Sequence, residues 1–123
     1  MLINLSTGKP IAIHVVMCDT FWRKLRGLMF RRALEMDTAL IFVGRSESIV
    51  DASIHMFFVF FPIAVLWLDA QRRVIDTALA RPFRPYYAPC APAQYFVECA
   101  PSVLDQVGVG DELAFDGKEE QGL

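Results

Sequence analysis

The sequence is poor in the residues from which metal centres and disulfide frameworks are built. Its 123 residues include three cysteines, Cys18, Cys90 and Cys99, and two histidines, His14 and His55. No Cys-x-x-Cys pair occurs, so neither a zinc site nor a paired-cysteine scaffold is indicated. We therefore expect no cofactor and a fold that forms without metal or disulfides. Unpaired thiols also favour a cytoplasmic protein.

Long apolar runs and a secretory leader are missing as well. The longest apolar run, residues 56–68, contains Pro62, and it is shorter than the roughly 20 residues of a membrane-spanning helix. The N-terminus has no basic start, and Gly8 and Pro10 interrupt its apolar residues, unlike a secretory signal. We expect no membrane insertion and read the apolar run as buried strand.

Charge of either sign is modest, but it is unevenly distributed. The net charge is −2; residues 1–84 carry eleven Lys/Arg against seven Asp/Glu, whereas residues 85–123 carry one against seven. The excess in the first part is too small to indicate nucleic-acid binding. The asymmetry would permit weak self-association, and a mixed, solvated surface is the simpler interpretation.

Apolar residues, by contrast, are abundant. They make up 54% of the chain, which has ten phenylalanines. A chain of this length and composition can bury a core of its own. We expect a single domain over residues 1–123, with a compact core at about residues 3–116 and a frayed tail at 117–123.

Short segments rich in β-branched and aromatic residues predict a mainly β fold. Residues 11–17 alternate and place Ile11, Ile13, Val15 and Met17 on one buried face. Further strands are predicted at residues 39–43, 48–54, 56–61, 63–68, 74–79, 94–99 and 112–115. Their length and spacing favour a small barrel- or sandwich-like, antiparallel or mixed sheet.

Two helical elements are predicted beside the strands. The first is an α-helix in the N-terminal half, after the capping residues Asp19 and Thr20. Its apolar residues recur at helical spacing: Phe21, Trp22, Leu25, Leu28 and Met29. The second is a short helical turn that Pro101 opens and Gly108 ends.

A turn and a long loop separate some of the strands. Residues 69–72 read as the turn of a hairpin. Residues 81–93 contain four prolines, which hold a backbone extended. We expect this loop to be ordered, because prolines reduce the entropy that ordering costs. Its aromatic and basic residues alternate: Arg81, Phe83, Arg84, Tyr86 and Tyr87.

Several short motifs follow one another in a recognisable order: Arg26-Gly27-Leu28-Met29-Phe30-Arg31, Ser53-Ile54-His55-Met56, Phe61-Pro62-Ile63, Leu68-Asp69, Glu98 and Gly110-Asp111. Together they resemble the family known as domain of unknown function 192. The resemblance implies a compact, β-rich bacterial protein with no assigned activity, and it singles out Arg26, His55, Asp69 and Glu98 as polar positions.

The sequence departs from the pattern of this family at four places. Asp51 stands where Cys is typical, Val59-Phe60 where Met-Arg is typical, and Ala64 where Asp is typical, while Arg72 replaces a turn glycine. A basic and an acidic residue have thus both become apolar. Because unmatched buried charges are costly, we expect Phe60 and Ala64 to be packed in apolar surroundings.

Two hypotheses for function come from these residues. The first is a non-catalytic binding or accessory domain for a small molecule or partner protein, in which Arg84, Tyr86 and Tyr87 of the proline-rich loop offer stacking and cation–π contacts. Its candidate binding residues also include the four that the resemblance singles out: Arg26, His55, Asp69 and Glu98. The alternative is a small enzyme that uses His55 with a nearby carboxylate.

Overall fold

The computed structural model describes residues 1–18, 37–54, 56, 61–84, 86–115 and 118–119. In these residues the strands are β1 (Leu2–Asn4), β2 (Lys9–Ala12), β3 (His14–Cys18), β4 (Thr38–Ser48), β5 (Ile63–Leu68), β6 (Val74–Ala80), β7 (Ala93–Cys99), β8 (Leu113–Phe115) and β9 (Lys118–Glu119). A 3-10 helix spans Pro101–Asp105. It falls within the predicted helical turn.

The fold is mainly β, as predicted, and consists of two sheets. The smaller sheet has the order β2-β1-β8 and is antiparallel. The larger sheet has the order β6-β5-β7-β4-β3-β9. It is mixed, because β3 runs parallel to both β4 and β9 while the remaining pairs are antiparallel.

The predicted α-helix does not gain support from this architecture. The residues that carry it, from Asp19 to Met29, lie outside the described residues. In the part of the chain that the structure describes, the 3-10 helix is the only helical element. It begins at Pro101, which has no N–H to leave unpaired in a first turn.

Strand β5 shows why the long apolar run is continuous. All six of its residues are buried. Ile63, Val65 and Trp67 join one core cluster, while the intervening residues join the cluster on the opposite face of the sheet. Because side chains alternate along a strand, a strand covered on both faces needs apolar residues at every position.

The two faces of the larger sheet have different covers. On one face the smaller sheet contributes Leu2, Leu113 and Phe115, and the 3-10 helix contributes Val103. On the other face the cover comes from Ala52, Ile54 and Met56, which lie between β4 and β5, with Tyr87 packed against them. The sheet is therefore the central layer of the described fold.

The single strand predicted at residues 11–17 is instead two strands in different sheets. Ile11 is buried, but Ile13 is 58% exposed, so its assignment to the buried face was wrong. The N–H groups of Ile13 and His14 both donate to the carbonyl oxygen of Asp37. The chain leaves the smaller sheet here, and alternation does not continue across such a break.

The proline-rich loop is a crossover connection. Strands β6 and β7 both pair antiparallel with β5, so they run parallel to each other on either side of it. Joining two such strands requires a crossover of about a dozen residues, which is usually a helix. Here the extended loop between Ala80 and Ala93 makes that crossing, and its backbone pairs with the segment between β4 and β5.

Candidate functional site

Asp69 holds the turn between β5 and β6 in place. Its Oδ1 atom accepts hydrogen bonds from the backbone N–H groups of Gln71 and Arg73, both at 2.9 Å. An aspartate that bonds its own turn in this way stabilises the local backbone. The turn is further tied to β4, since Ala70 N–H donates to a carboxylate oxygen of Glu47 at 2.9 Å. Asp69 is thus a turn residue.

Arg72 occupies a backbone conformation that favours glycine. Its φ is +63°, a conformation that suits glycine. A residue with a Cβ atom pays about 1 kcal/mol to adopt it. The guanidinium offsets part of that cost, because its Cζ lies 3.9 Å from the centroid of the Phe115 ring and 5.5 Å from that of Tyr95. It also donates to the carbonyl oxygen of Phe115 at 2.8 Å.

The Gly110-Asp111 motif closes the same end of the molecule. Asp111 Oδ2 accepts hydrogen bonds from Gly108 N–H at 2.9 Å and from Asn4 Nδ2 at 2.8 Å. These two bonds hold the pKa of the Asp111 carboxyl below its ordinary value, the Gly108 contact being the larger cause. The backbone of residues 110–111 exchanges two hydrogen bonds with Val74. The motif therefore holds residues 108–111 against the start of β6, an arrangement that we call the clamp.

Asn4 is the central residue of this clamp, and sequence reasoning missed it. The residue is fully buried. Its Nδ2 also donates to the carbonyl oxygen of Gln106, while its Oδ1 accepts from Ser6 N–H. The one available signal was an asparagine on the same face as Leu2 in a short apolar strand, where a polar side chain needs partners.

Glu98 lies within the larger sheet. It is 8% exposed and stands between Leu40 of β4 and Val65 of β5. Desolvation raises the pKa of the adjacent Cys99 thiol, with a smaller contribution from the Glu98 carboxylate, so that thiol stays protonated and unreactive. Val65 precedes Asp69 by four residues, so Glu98 and Asp69 are separated by about 13 Å along β5.

The proline-rich loop forms a two-stranded strip with the segment before β5. Ile54 and Tyr87 exchange two backbone hydrogen bonds of 2.9 Å. Met56 N–H donates to the carbonyl oxygen of Arg84 at 2.9 Å, and Phe83 N–H donates to that of Met56 at 2.8 Å. Beneath the strip, Trp67 Nε1 donates to the carbonyl oxygen of Ala52 at 2.8 Å. The strip is thereby bonded to the sheet.

Side chains on this strip form what we call the aromatic–arginine surface: Arg81, Phe83, Arg84 and Tyr86. Phe83 and Tyr86 are 47% and 60% exposed, and both arginines are exposed. Tyr86 also shares a 3.0 Å hydrogen bond between its hydroxyl and that of Ser53.

Tyr87 supports this surface from below. Its ring is half-buried against the core and lies 5.5 Å from the Arg84 Cζ. Its hydroxyl accepts a hydrogen bond from Arg81 N–H at 2.8 Å. One tyrosine therefore positions the backbone of one arginine and the guanidinium of the other.

The predicted site residues consequently do not form one constellation. Arg84, Tyr86 and Tyr87 come together on the strip. Asp69 lies in the turn after β5, and Glu98 lies within β7. Arg26 and His55 lie outside the described residues. Among residues that are described, no group of three or more His, Cys, Asp or Glu could hold a metal ion.

The two apolar replacements have different outcomes. Ala64 is fully buried in a core cluster, as expected for a position that no longer carries a charge. Phe60 lies outside the described residues.

In the described part of the chain, no helix is long and apolar enough to cross a membrane.

Comparison with known proteins agrees with the motifs. Residues 2–115 match the family model for domain of unknown function 192, described as Uncharacterized ACR. The chain is similar to the UPF0127 protein of Thermococcus sibiricus, at 40% identity over 98% of this chain and 78% of that protein. It is also similar to a UPF0127 protein of Pyrococcus furiosus, at 35% identity over 94% and 97% of the two chains.

A solved structure shares the fold. The crystal structure of a protein of unknown function from Novosphingobium aromaticivorans superposes with a TM-score of 0.80 at 19% identity, covering 93% of this chain and 82% of that one. The two relatives above are archaeal, so the expectation of a specifically bacterial protein is not supported. On the extent of the family match and the identity of these relatives, the chain belongs to the domain of unknown function 192 family.

Proposed function

We propose that this domain is a non-catalytic binding or accessory module whose contact site is the aromatic–arginine surface. The observation that carries the proposal is the exposure of Phe83 and Tyr86, at 47% and 60%, on a loop whose backbone is hydrogen-bonded to Ile54 and Met56. Exposed aromatic residues and arginines are the side chains most enriched at the energetic centres of interfaces.

The rigidity of the strip supports the same proposal. Backbone hydrogen bonds tie Phe83, Arg84 and Tyr87 to Ile54 and Met56. Prolines restrict the loop further. A surface ordered before binding loses little conformational entropy when a partner arrives. Two partly exposed aromatic side chains on such a backbone therefore support a role in recognition.

The proposal places the domain in the cytoplasm. Among the described residues Cys90 and Cys99 are free cysteines, the first exposed and the second buried. Unpaired thiols of this kind are typical of reducing compartments.

A selection experiment tests the proposal without assuming a ligand. A phage-displayed library of random peptides is panned on the full chain, and the recovered peptides are then measured against the Phe83→Ala/Tyr86→Ala variant. We expect at least about a tenfold loss of affinity, as for two moderate hot-spot residues.

Val109→Ala is the matched control for this measurement. Val109 is 65% exposed, and it lies in the turn that docks on the opposite end of β6, so its truncation removes exposed apolar surface elsewhere. We expect unchanged affinity for that variant. Peptides that bind the wild type and the Phe83→Ala/Tyr86→Ala variant equally would refute the proposal.

A further inference from the structure

The two arginine side chains of the aromatic–arginine surface are available to pair with a partner. Among the described residues no carboxylate lies within ion-pair distance of Arg81 or Arg84. Asp51 is the only acidic residue in the described segments that form the strip, residues 49–54, 56, 81–84 and 86–87. The Arg84 guanidinium stacks near Tyr87, which leaves its N–H groups available, and a guanidinium fork matches the geometry of a carboxylate.

The openness of the rings argues for a macromolecular partner. Pockets for small molecules are concave and bury most of the ligand. Phe83 and Tyr86, at 47% and 60% exposed, are too open to bury a ligand in this way. They suit a partner chain, which can lay several side chains across them at once.

The backbone of the strip indicates an extended partner. Ile54 and Tyr87 bond each other, so in an antiparallel pair the N–H and C=O groups of Tyr86 point to the other edge. In the part of the chain that the structure describes, these two groups form no hydrogen bond. An extended peptide can bond such an edge by strand addition, with side-chain contacts giving selectivity.

We infer that the aromatic–arginine surface binds an extended, acidic segment of another protein, with carboxylates paired to Arg81 and Arg84 and apolar side chains stacked on Phe83 and Tyr86. This inference rests on the proposed function and names the partner class of the same surface.

The test uses two synthetic peptides, one alternating Asp with Phe and the other alternating Lys with Phe. Fluorescence anisotropy with the full chain should show the acidic peptide binding about tenfold or more tightly than the basic one. The preference should weaken at high salt, because exposed ion pairs are screened. Equal binding of the two peptides would overturn the inference.

Charge reversal sharpens the same test. The Arg81→Glu/Arg84→Glu variant should lose about tenfold in affinity for the acidic peptide and gain affinity for the basic one. Its control is Lys9→Glu/Arg45→Glu, which changes the net charge equally at two exposed positions that are not part of the strip. If both variants respond alike, general charge and not the surface sets the preference, and the inference fails.

The outcomes separate this inference from the proposed function. Library peptides that require Phe83 and Tyr86 but are not acidic would leave the binding module intact and overturn the acidic partner. Peptides that require neither ring would overturn both. A chain that dimerises in sedimentation velocity, with dimerisation lost in Arg81→Glu/Arg84→Glu, would identify a second copy as the occupant and overturn the inference of another protein.

Discussion

Two arginines on opposite ends of β6 are used in opposite ways. Arg72 places its Cζ 3.9 Å from the Phe115 ring centroid and donates to that residue's carbonyl oxygen. Arg84 lies 5.5 Å from the Tyr87 ring and is exposed. The first guanidinium has its partners inside the chain, whereas the second forms no hydrogen bond with the described residues.

The surroundings of the two arginines repeat this difference. Around the turn, Asp69, Asn4 and Asp111 direct their side chains to backbone groups or to each other. On the strip, backbone groups bond each other while Arg81 and Tyr86 extend outward. Polar side chains are therefore bonded within the chain at one end of β6 and extend into solvent at the other.

The largest expected effect lies at the end of the molecule where Asn4 and Asp111 hold the turn, which we call the closed end. Asn4→Ala should lower the free energy of unfolding by about 3 kcal/mol, because it removes the three hydrogen bonds of a fully buried side chain. Urea unfolding measures the change. Ser102→Ala is the control, since Ser102 is exposed in the 3-10 helix and its truncation should cost about 0.5 kcal/mol or less. A loss below about 1 kcal/mol for Asn4→Ala would show that the clamp is dispensable.

A second prediction separates strain from stacking at Arg72. Arg72→Ala keeps a Cβ atom at positive φ and removes the ring contacts, so it should destabilise the fold by about 1–2 kcal/mol. Arg72→Gly removes the same contacts but relieves the backbone, and should recover about 1 kcal/mol relative to alanine. Thermal unfolding of both variants measures the difference. A glycine variant no more stable than the alanine variant would contradict the role assigned to φ.

Different parts of the fold could be predicted from the sequence with different success. Strand β5 follows the predicted bounds, because six apolar residues between Pro62 and a turn aspartate permit few alternatives. The break at Ile13 was not predicted, because alternation along residues 11–17 is local whereas the change of sheet depends on Asp37, a distant residue. Local patterns report propensity, and long-range pairing can override them.

The candidate site was predictable in the same partial way. The loop residues Arg84, Tyr86 and Tyr87 were found because proline and aromatic residues are conspicuous in sequence. The structural role of Asp69 and the buried position of Glu98 depend on which backbone groups face them, and composition does not reveal that. Asn4 was missed for the same reason, since its partners Gln106 and Asp111 are more than a hundred residues away.

The third prediction concerns acid. Because the pKa of Asp111 is lowered in the folded protein, the unfolded chain binds this proton first as pH falls. The stabilisation is therefore complete above the ordinary value of 3.8 and is lost as pH falls through the lower folded value. Asp111→Asn should show a shallower loss of stability below that pH, in urea unfolding at a series of pH values.

The control for the acid series is Asp105→Asn, which removes an exposed carboxylate from the 3-10 helix and changes the net charge equally. We expect its acid profile to follow that of the wild type. If Asp105→Asn and Asp111→Asn give the same shallower profile, the effect reports net charge, and the clamp at Asp111 does not account for it.

The smallest effect is expected at the strip, which we call the open end. It tests most directly whether the two ends differ. Arg81→Ala/Tyr86→Ala should change the free energy of unfolding by about 0.5 kcal/mol or less, because exposed side chains contribute little to stability. The Ser53–Tyr86 contact that it removes is also exposed. Thermal and urea unfolding should agree on this value. A loss above about 2 kcal/mol would mean that these side chains hold the strip onto the sheet, and the open end would then be structural like the closed one. A near-zero change means that a loss of binding on truncation of Arg81 or Tyr86 reports recognition and not unfolding.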